Sequence, residues 1–162
     1  MQIMEVITKN PGIKFREIMR ATGLKNGVLS HHLGKMERSG TVQAVREPRQ
    51  TRFYPLEISE SESKIIKSLR RGTPRKILRS LMLNKEGLEF GEIVNESSKS
   101  PSTVSLYLSR MVDDGVVQVA LENRKKRYFI SERASVDRLI EDYHPGMLDA
   151  PAGGIEDIIN VL

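Results

Sequence analysis

The chain contains an internal repeat, and this feature constrains its fold more than any other. When the sequence is shifted against itself by 75 residues, positions 1–56 align with positions 76–131 without a gap, and thirteen of the 56 pairs are identical. Self-similarity at a fixed spacing indicates a repeated structural unit. Two copies of one small fold are therefore expected. The identical pairs include Gly12/Gly87, Phe15/Phe90, Ser30/Ser105, Leu33/Leu108, Gly40/Gly115 and Arg52/Arg127.

Each copy begins with a pattern typical of three short helices. Apolar residues recur at helical spacing, first around Ile3 and Ile7, then around Phe15 and Ile18, and then from Leu29 to Met36. The second copy keeps this pattern, with Phe90 expected at a buried position equivalent to that of Phe15. The third helix is expected to stop at Gly40 and at Gly115, because glycine adopts the left-handed conformation that often ends a helix.

A short hairpin with cations at its tip is predicted after each third helix. Residues 41–46 and 51–56 form the two strands of the first hairpin around a turn at 47–50, and residues 116–121 and 126–130 form those of the second around 122–125. Three helices followed by a basic hairpin constitute a winged helix-turn-helix. The predicted fold is mainly α with small β-hairpin wings (α+β), as two tandem winged helix-turn-helix domains.

The domain boundaries follow from the repeat and from the segments around it. We expect a first domain at 1–58, a linker helix at 59–72, a second domain at 73–131 and a C-terminal helix at 132–144. Residues 145–162 are predicted to be a loosely packed, flexible link and a short amphipathic segment with Ile155, Ile158, Ile159 and Leu162 on one stripe. The apolar stripes of the linker and C-terminal helices could also pack against a second copy of the chain, so a homodimer through these helices is an open alternative.

The distribution of charge indicates a polyanionic partner. Residues 1–131 carry 24 Lys or Arg and 14 Asp or Glu, net +10, whereas residues 132–162 carry two and seven, net −5. A basic body is typical of nucleic-acid binding. No apolar run approaches a membrane span and the N-terminus lacks the apolar core of a signal peptide, so we expect a cytoplasmic, nucleoid-associated protein without a membrane partner.

The third helix of the first copy carries a family resemblance. The stretch Gly27–Val42 contains Ser30, His32 and Leu33 in the order Ser-x-His-Leu, then Met36 and the helix-ending Gly40. It resembles the third helix and wing entry of ArsR-type and MarR-type transcriptional regulators. Residues 102–111 resemble the same helix more loosely, and tandem arrangements of this sort are similar to archaeal regulators.

The resemblance implies a DNA-binding transcriptional regulator whose third helices enter the major groove of double-stranded DNA, while the wings contact the backbone or the minor groove. It assigns to the first copy the contact residues Lys25, Asn26, Val28, Ser30, His31, Lys35, Arg46, Arg49 and Arg52. It assigns to the second copy Ser102, Thr103, Ser105, Leu106, Arg110, Arg124, Lys125, Lys126 and Arg127. Leu106 stands where the first copy has His31 and cannot hydrogen-bond a base edge, so the first copy is the better candidate for sequence recognition.

Other functions are less well supported by the residues. The chain has no cysteine, which excludes disulfides and thiolate metal sites. His31 and His32 are adjacent on a helix and point in different directions, and His144 is remote, so no metal or cofactor is expected; His32, like Tyr107, is expected at the edge of the core. No catalytic motif is present. The alternative function is a tandem winged-helix protein-interaction module in a chromosome-organising or polymerase-associated complex.

Overall fold

The computed structural model of the chain describes residues 2–149 and has the predicted order of three helices and a hairpin, twice. Its contacts divide the chain into a first unit that ends at Ser63 and a second unit that begins at Lys64. The helices are α1 (Gln2–Lys9), α2 (Phe15–Thr22), α3 (Asn26–Arg38), α4 (Glu60–Leu69), α5 (Gly72–Leu83), α6 (Phe90–Ser97), α7 (Pro101–Asp113) and α8 (Arg133–Tyr143). The strands are β1 (Ile13–Lys14), β2 (Val42–Glu47), β3 (Gln50–Pro55), β4 (Val117–Glu122) and β5 (Lys125–Ile130).

In the first unit, three helices and a small sheet enclose one apolar core. The sheet has the strand order β1-β3-β2 and is antiparallel, with Ile13 opposite Phe53. Strand β1 is not predicted by the sequence, because two residues are too few to show an alternating pattern. Core side chains come from all three helices and from the sheet: Ile3, Ile7, Ile13, Ile18, Leu29, Leu33, Val42 and Phe53.

In the second unit, α4 and α8 add apolar stripes to the same arrangement. The hairpin β4–β5 forms a two-stranded sheet, and an isolated bridge between Leu88 and Tyr128 occupies the place that β1 has in the first unit. The buried side chains include Ile77, Leu78, Leu81, Ile93, Val104, Leu108, Met111, Val136, Leu139 and Ile140. Among residues 2–149, no helix has both the length and the apolar character needed to cross a bilayer.

Two identities of the repeat are explained by local backbone requirements. Gly12 and Gly87 have φ angles of 84° and 85°, in the left-handed region that favours glycine. Glu17 and Glu92 occupy the third position of α2 and of α6, where each carboxylate accepts a hydrogen bond of 2.9 Å from the backbone N–H before its helix. Such a contact satisfies a donor that the helix itself leaves unpaired.

The two wings have turns of two residues, shorter than the four predicted. Each strand of both hairpins extends one residue further toward the tip, so that Glu47 pairs with Gln50 and Glu122 with Lys125. In the second wing, Asn123 and Arg124 have φ angles of 51° and 65°. Positive φ at both central residues matches the twist of a tight hairpin. In the first wing, Pro48 fixes a negative φ and excludes that conformation.

Some packing differs from the sequence-based expectation. Phe15 and Phe90 do occupy equivalent positions, at the start of α2 and of α6, but both are only partly buried. The link after Pro145 is predicted to be loosely packed, yet Met147 is buried and its carbonyl accepts a hydrogen bond of 3.1 Å from Arg79 Nε. The predicted terminal stripe, Ile155–Leu162, lies outside the described residues.

Candidate nucleic-acid interface

The solvent-facing side of α3 contains the predicted contact residues of the first unit. Leu29 and Leu33 turn one side of the helix into the core. The positions predicted to face DNA, together with the residue before the helix, are all exposed: Lys25, Asn26, Val28, Ser30, His31 and Lys35. Their exposure meets the first requirement of a helix that enters a groove.

A hydrogen bond on this face orients one polar side chain. Ser30 Oγ donates to Asn26 Oδ1 at 3.2 Å, and the amide NH₂ of Asn26 therefore remains available as a donor. His31 and His32 stack edge to face, with ring centroids 5.6 Å apart. The expectation that His32 lies at the edge of the core is wrong, because its ring stays in solvent beside His31.

The three cations predicted for the first wing have three different environments. Arg49 is exposed in the turn. Arg46 is exposed too, but both of its terminal nitrogens donate to the carboxylate of Glu37 at 2.8 Å. Arg52 is only 1% exposed, and its Nη1 donates to the carbonyl oxygen of Gly12 at 2.9 Å. The assignment of Arg52 to the DNA contact is therefore wrong, since its guanidinium is buried inside the unit.

The contact between Glu37 and Arg46 also shifts the pKa of both side chains. The hydrogen bond from Arg46 lowers the pKa of Glu37 below its ordinary value, and the same bond raises the pKa of Arg46. Glu37 therefore remains a carboxylate under ordinary conditions and neutralises the nearest wing cation. Glu37 is not recognisable from the sequence, because nothing in the spacing of residues 37 and 46 shows that they meet.

The solvent-facing side of α7 is less polar than that of α3. Ser102, Ser105, Leu106 and Arg110 are exposed, with 48% of Leu106 accessible. Thr103 is partly buried, and its hydroxyl accepts a hydrogen bond of 2.9 Å from Ser100, the residue that caps α7. Thr103 is thus engaged in the start of the helix.

The second wing exposes three of its four predicted cations. Arg124, Lys125 and Lys126 are exposed around the tip. Arg127 is held from both sides: its Nη2 donates to the carbonyl of Gly87 at 2.8 Å, and its guanidinium lies within 4 Å of carboxylates of Glu89 and Glu122. Its side chain is still 25% exposed, so a contact of Arg127 with DNA stays a prediction.

An apolar surface distinguishes the second unit from the first. Where the first unit pairs Glu37 with Arg46, the second has Val112 and Leu121. Leu121 is 72% exposed and Val119 is 44% exposed. Beside them, between α7 and the wing, lies a cavity of ≈ 240 Å³ whose lining includes Phe90, Leu108, Val112, Val119, Lys126 and Tyr128.

Comparison with protein families assigns a helix-turn-helix domain to each repeat. Residues 1–66 match a family described as an N-terminal HTH domain, and residues 71–119 match the family "Bacterial regulatory protein, arsR family". No curated protein matches the chain. The chain therefore has two HTH domains in tandem, the second of which matches the arsR family, and these matches support a DNA-binding regulator.

Solved structures with a similar arrangement each cover part of the chain. One is HlyU from Vibrio cholerae, with 24% identity and a TM-score of 0.45, covering 54% of this chain and 96% of the other. Another is the homodimeric winged helix-turn-helix DNA-binding domain of a possible ArsR-family transcriptional regulator from Mycobacterium bovis. Its identity is 18% and its TM-score 0.44, over 54% of this chain and 83% of the other.

Proposed function

We propose that the chain is a transcriptional regulator that binds double-stranded DNA, with α3 and α7 in major grooves and the wing cations on the backbone or in the minor groove. The observation that carries this proposal is the repetition of one arrangement: each HTH domain combines an exposed third helix with a hairpin whose tip bears exposed cations. The net charge of +10 on residues 1–131 supports a polyanionic partner.

In the first unit, the exposed groups of α3 suit the recognition of base edges. The free amide donors of Asn26 fit the acceptors that purines and thymine present in the major groove, and His31 offers a second polar group five residues further along α3. Lys25 and Lys35 bracket these residues and suit phosphate contacts. Asn26, Ser30 and His31 are therefore proposed to carry sequence preference.

In the second unit, the wing is proposed to bind phosphates rather than bases. Arg124, Lys125 and Lys126 supply three exposed charges at one tip. Leu106 offers no hydrogen bond to a base edge, although its side chain suits the methyl group of thymine. This unit would then add affinity for all DNA sequences, while the first unit selects among them.

A second candidate function is favoured by the apolar surface of the second unit. Val119 and Leu121 are exposed two residues apart on β4, Leu106 is exposed on α7, and contiguous exposed apolar groups often mark a protein interface. In that case the second unit would bind a protein in a chromosome-organising or polymerase-associated complex. Leu121 is the residue whose substitution by Arg, the corresponding residue of the first unit, would separate the two functions.

A homodimer is a further proposal, but the apolar stripes of the linker and C-terminal helices, α4 and α8, are not available for its interface. Ile65, Ile66 and Leu69 of α4 are already buried within the chain, as are Leu139 and Ile140 of α8. Their apolar stripes are therefore occupied by the fold of one chain.

The proposed function is tested by measuring affinity against salt concentration for random duplexes and for duplexes selected from genomic fragments. His31→Ala or Asn26→Ala should reduce the preference for selected DNA by roughly 1–3 kcal/mol. Joint substitution of Arg124, Lys125 and Lys126 by Gln should weaken binding to both kinds of DNA. It should also reduce the log–log salt slope by about 0.9 for each phosphate that the wing no longer neutralises.

Two results would contradict the proposal. One is a wild-type chain that binds neither kind of duplex at low salt. The other is a wing variant with the wild-type salt slope. Leu121→Arg provides the comparison between the two functions, because it should strengthen DNA binding but abolish binding to a protein partner.

A further inference from the structure

An aromatic ring on one flank of α7 lies between two arginines. The guanidinium carbon of Arg71, the residue that precedes α5, is 5.4 Å from the centroid of the Tyr107 ring. The guanidinium carbon of Arg110, one turn beyond Tyr107 on α7, is 5.6 Å from the same centroid. Both distances are within the range in which a cation is attracted to an aromatic face.

Neither guanidinium is neutralised within residues 2–149, where no carboxylate pairs with Arg71 or Arg110. The first turn of α5, next to Arg71, contains no acidic residue. Asp114, four residues after Arg110, is instead 3.5 Å from Lys67 Nζ. Two positive charges are thus held beside one ring at a partly exposed place, an arrangement that suits an anion.

The position of this pair on α7 indicates which anion it would meet. Ser105 and Ser109 face the wing across the cavity. Because successive residues of a helix are separated by about 100°, Tyr107 lies about 160° from each of these serines. Tyr107 is therefore on the flank of α7 opposite the wing, and both guanidinium groups lie beside its ring. Arg110 itself is about 140° from Ser105 and about 100° from Ser109 around the helix.

A helix in the major groove has a sugar–phosphate backbone on each side. The groove is about 12 Å wide, and a helix with its side chains is about 10–12 Å across. If α7 occupies a groove, the wing meets the backbone on one flank, and the other flank requires cations of its own.

We infer that Arg71 and Arg110 form a phosphate-binding site for the DNA backbone on the flank of α7 opposite the wing, with Tyr107 as the positioning residue. The inference rests on the proposed function. It adds Arg71, which precedes the second HTH domain's first helix, to the interface. In the first unit, His32 and Lys35 stand at the positions of Tyr107 and Arg110, and the His32 ring contacts His31 instead.

The test measures the salt dependence of binding to random duplex DNA for the full chain and its variants. Arg71→Gln and Arg110→Gln should each reduce the log–log slope by about 0.9, equivalent to about eight-fold weaker binding at 0.1 M salt. Arg138→Gln is the matched control, because it removes the same charge from an exposed arginine of α8 that pairs with Asp142.

The role of Tyr107 is tested by two substitutions at that position. Tyr107→Phe keeps the ring and should retain wild-type affinity, whereas Tyr107→Leu should weaken binding. If the ring acts through Arg71, Tyr107→Leu should reduce DNA affinity by a smaller factor in the Arg71→Gln variant than in the wild-type chain. Equal effects of Tyr107→Leu in both backgrounds would assign the ring a structural role alone and would overturn its part in the inference.

A measurement on the DNA side does not depend on whether a variant folds. Neutral methylphosphonate groups replace single phosphates along a bound duplex, and the wild-type chain should lose affinity at phosphates on both flanks of the groove. Sensitivity on the wing flank alone, or an Arg71→Gln slope equal to that of Arg138→Gln, would overturn the inference while leaving the proposed function intact. A wild-type chain that does not bind DNA would overturn both.

Discussion

Arg52 donates a hydrogen bond of 2.9 Å to the carbonyl oxygen of Gly12 inside the first unit. The same relationship recurs 75 residues later, where Arg127 donates to the carbonyl of Gly87 at 2.8 Å. In both units an arginine of the second wing strand thus fixes the loop that follows the first helix. The identity of these four residues between the repeats is explained by a structural contact.

Arg52→Ala is expected to destabilise the chain, whereas Arg49→Ala is not. A buried hydrogen bond with a charged partner contributes about 1.5–3 kcal/mol, and its loss leaves the Gly12 carbonyl without this donor. Arg49 is an exposed turn residue. Urea unfolding followed by circular dichroism measures the difference. The salt slope of DNA binding should change only in Arg49→Ala, and the opposite pattern would restore Arg52 to the interface.

The positive φ angle of Arg124 in the second wing leads us to expect that one substitution will change stability and DNA binding in opposite directions. Arg124 has a φ of 65°, a conformation that costs a residue with a side chain roughly 1 kcal/mol. Arg124→Gly should therefore raise the free energy of unfolding by about that amount, visible as an increase in Tm. It should also weaken DNA binding, because the variant has one wing cation fewer.

Arg49→Gly is the control for this prediction. Arg49 occupies the same position in the first wing but is absent from the residues with positive φ among those described. Its replacement should weaken binding without any gain in stability. Equal changes in Tm for the two variants would contradict the explanation by backbone strain.

The repeat allows the fold to be predicted, whereas the roles of individual arginines require the structure. Helical spacing of apolar residues and the glycines at positions 40 and 115 locate the helices and the hairpins correctly. An arginine that is identical in both copies suits a phosphate contact and a buried hydrogen bond equally well, so the sequence alone misassigns Arg52, which is buried. The sequence places Arg46 correctly at the surface, but its partner Glu37 comes from another element nine residues away.

His144 predicts a loss of stability in mild acid. Burial, reinforced by the positive charges of Arg75 and then Arg70, lowers the pKa of His144 to about 4 from 6.5. The unfolded chain thus binds a proton between these pH values that the folded chain does not. The free energy of unfolding should fall as pH decreases from about 6.5 to about 4, by roughly 3 kcal/mol at most for this group.

The contribution of His144 is isolated by comparing variants across that pH range. His144→Asn should show a smaller loss of stability between pH 7 and pH 4.5 than the wild type, as measured by urea unfolding. His32→Asn, which changes an exposed histidine, should retain the wild-type pH dependence. A His144→Asn curve parallel to that of the wild type would exclude His144 as the cause.

Glu37 predicts a variant that binds DNA more tightly than the wild type. Its carboxylate accepts two hydrogen bonds of 2.8 Å from Arg46, an exposed cation of the first wing. These bonds occupy both terminal nitrogens of the Arg46 guanidinium. Glu37→Gln should release Arg46 for a phosphate contact and remove a negative charge from the surface that is proposed to face DNA. We expect affinity for random duplex to rise severalfold at 0.1 M salt and the log–log salt slope to steepen by up to about 0.9.

The matched control for Glu37→Gln is Glu5→Gln, since Glu5 is also a surface carboxylate of the first unit in an ion pair, with Lys9 at 3.0 Å on α1. Both variants change the net charge equally, so a general effect of charge would increase affinity in both. Only Glu37→Gln should steepen the slope, and the double variant Glu37→Gln/Arg46→Gln should lose that gain because the released cation is no longer present. If Glu5→Gln steepens the slope as much, or if the double variant keeps the gain, Arg46 is not the group that Glu37 withholds from DNA.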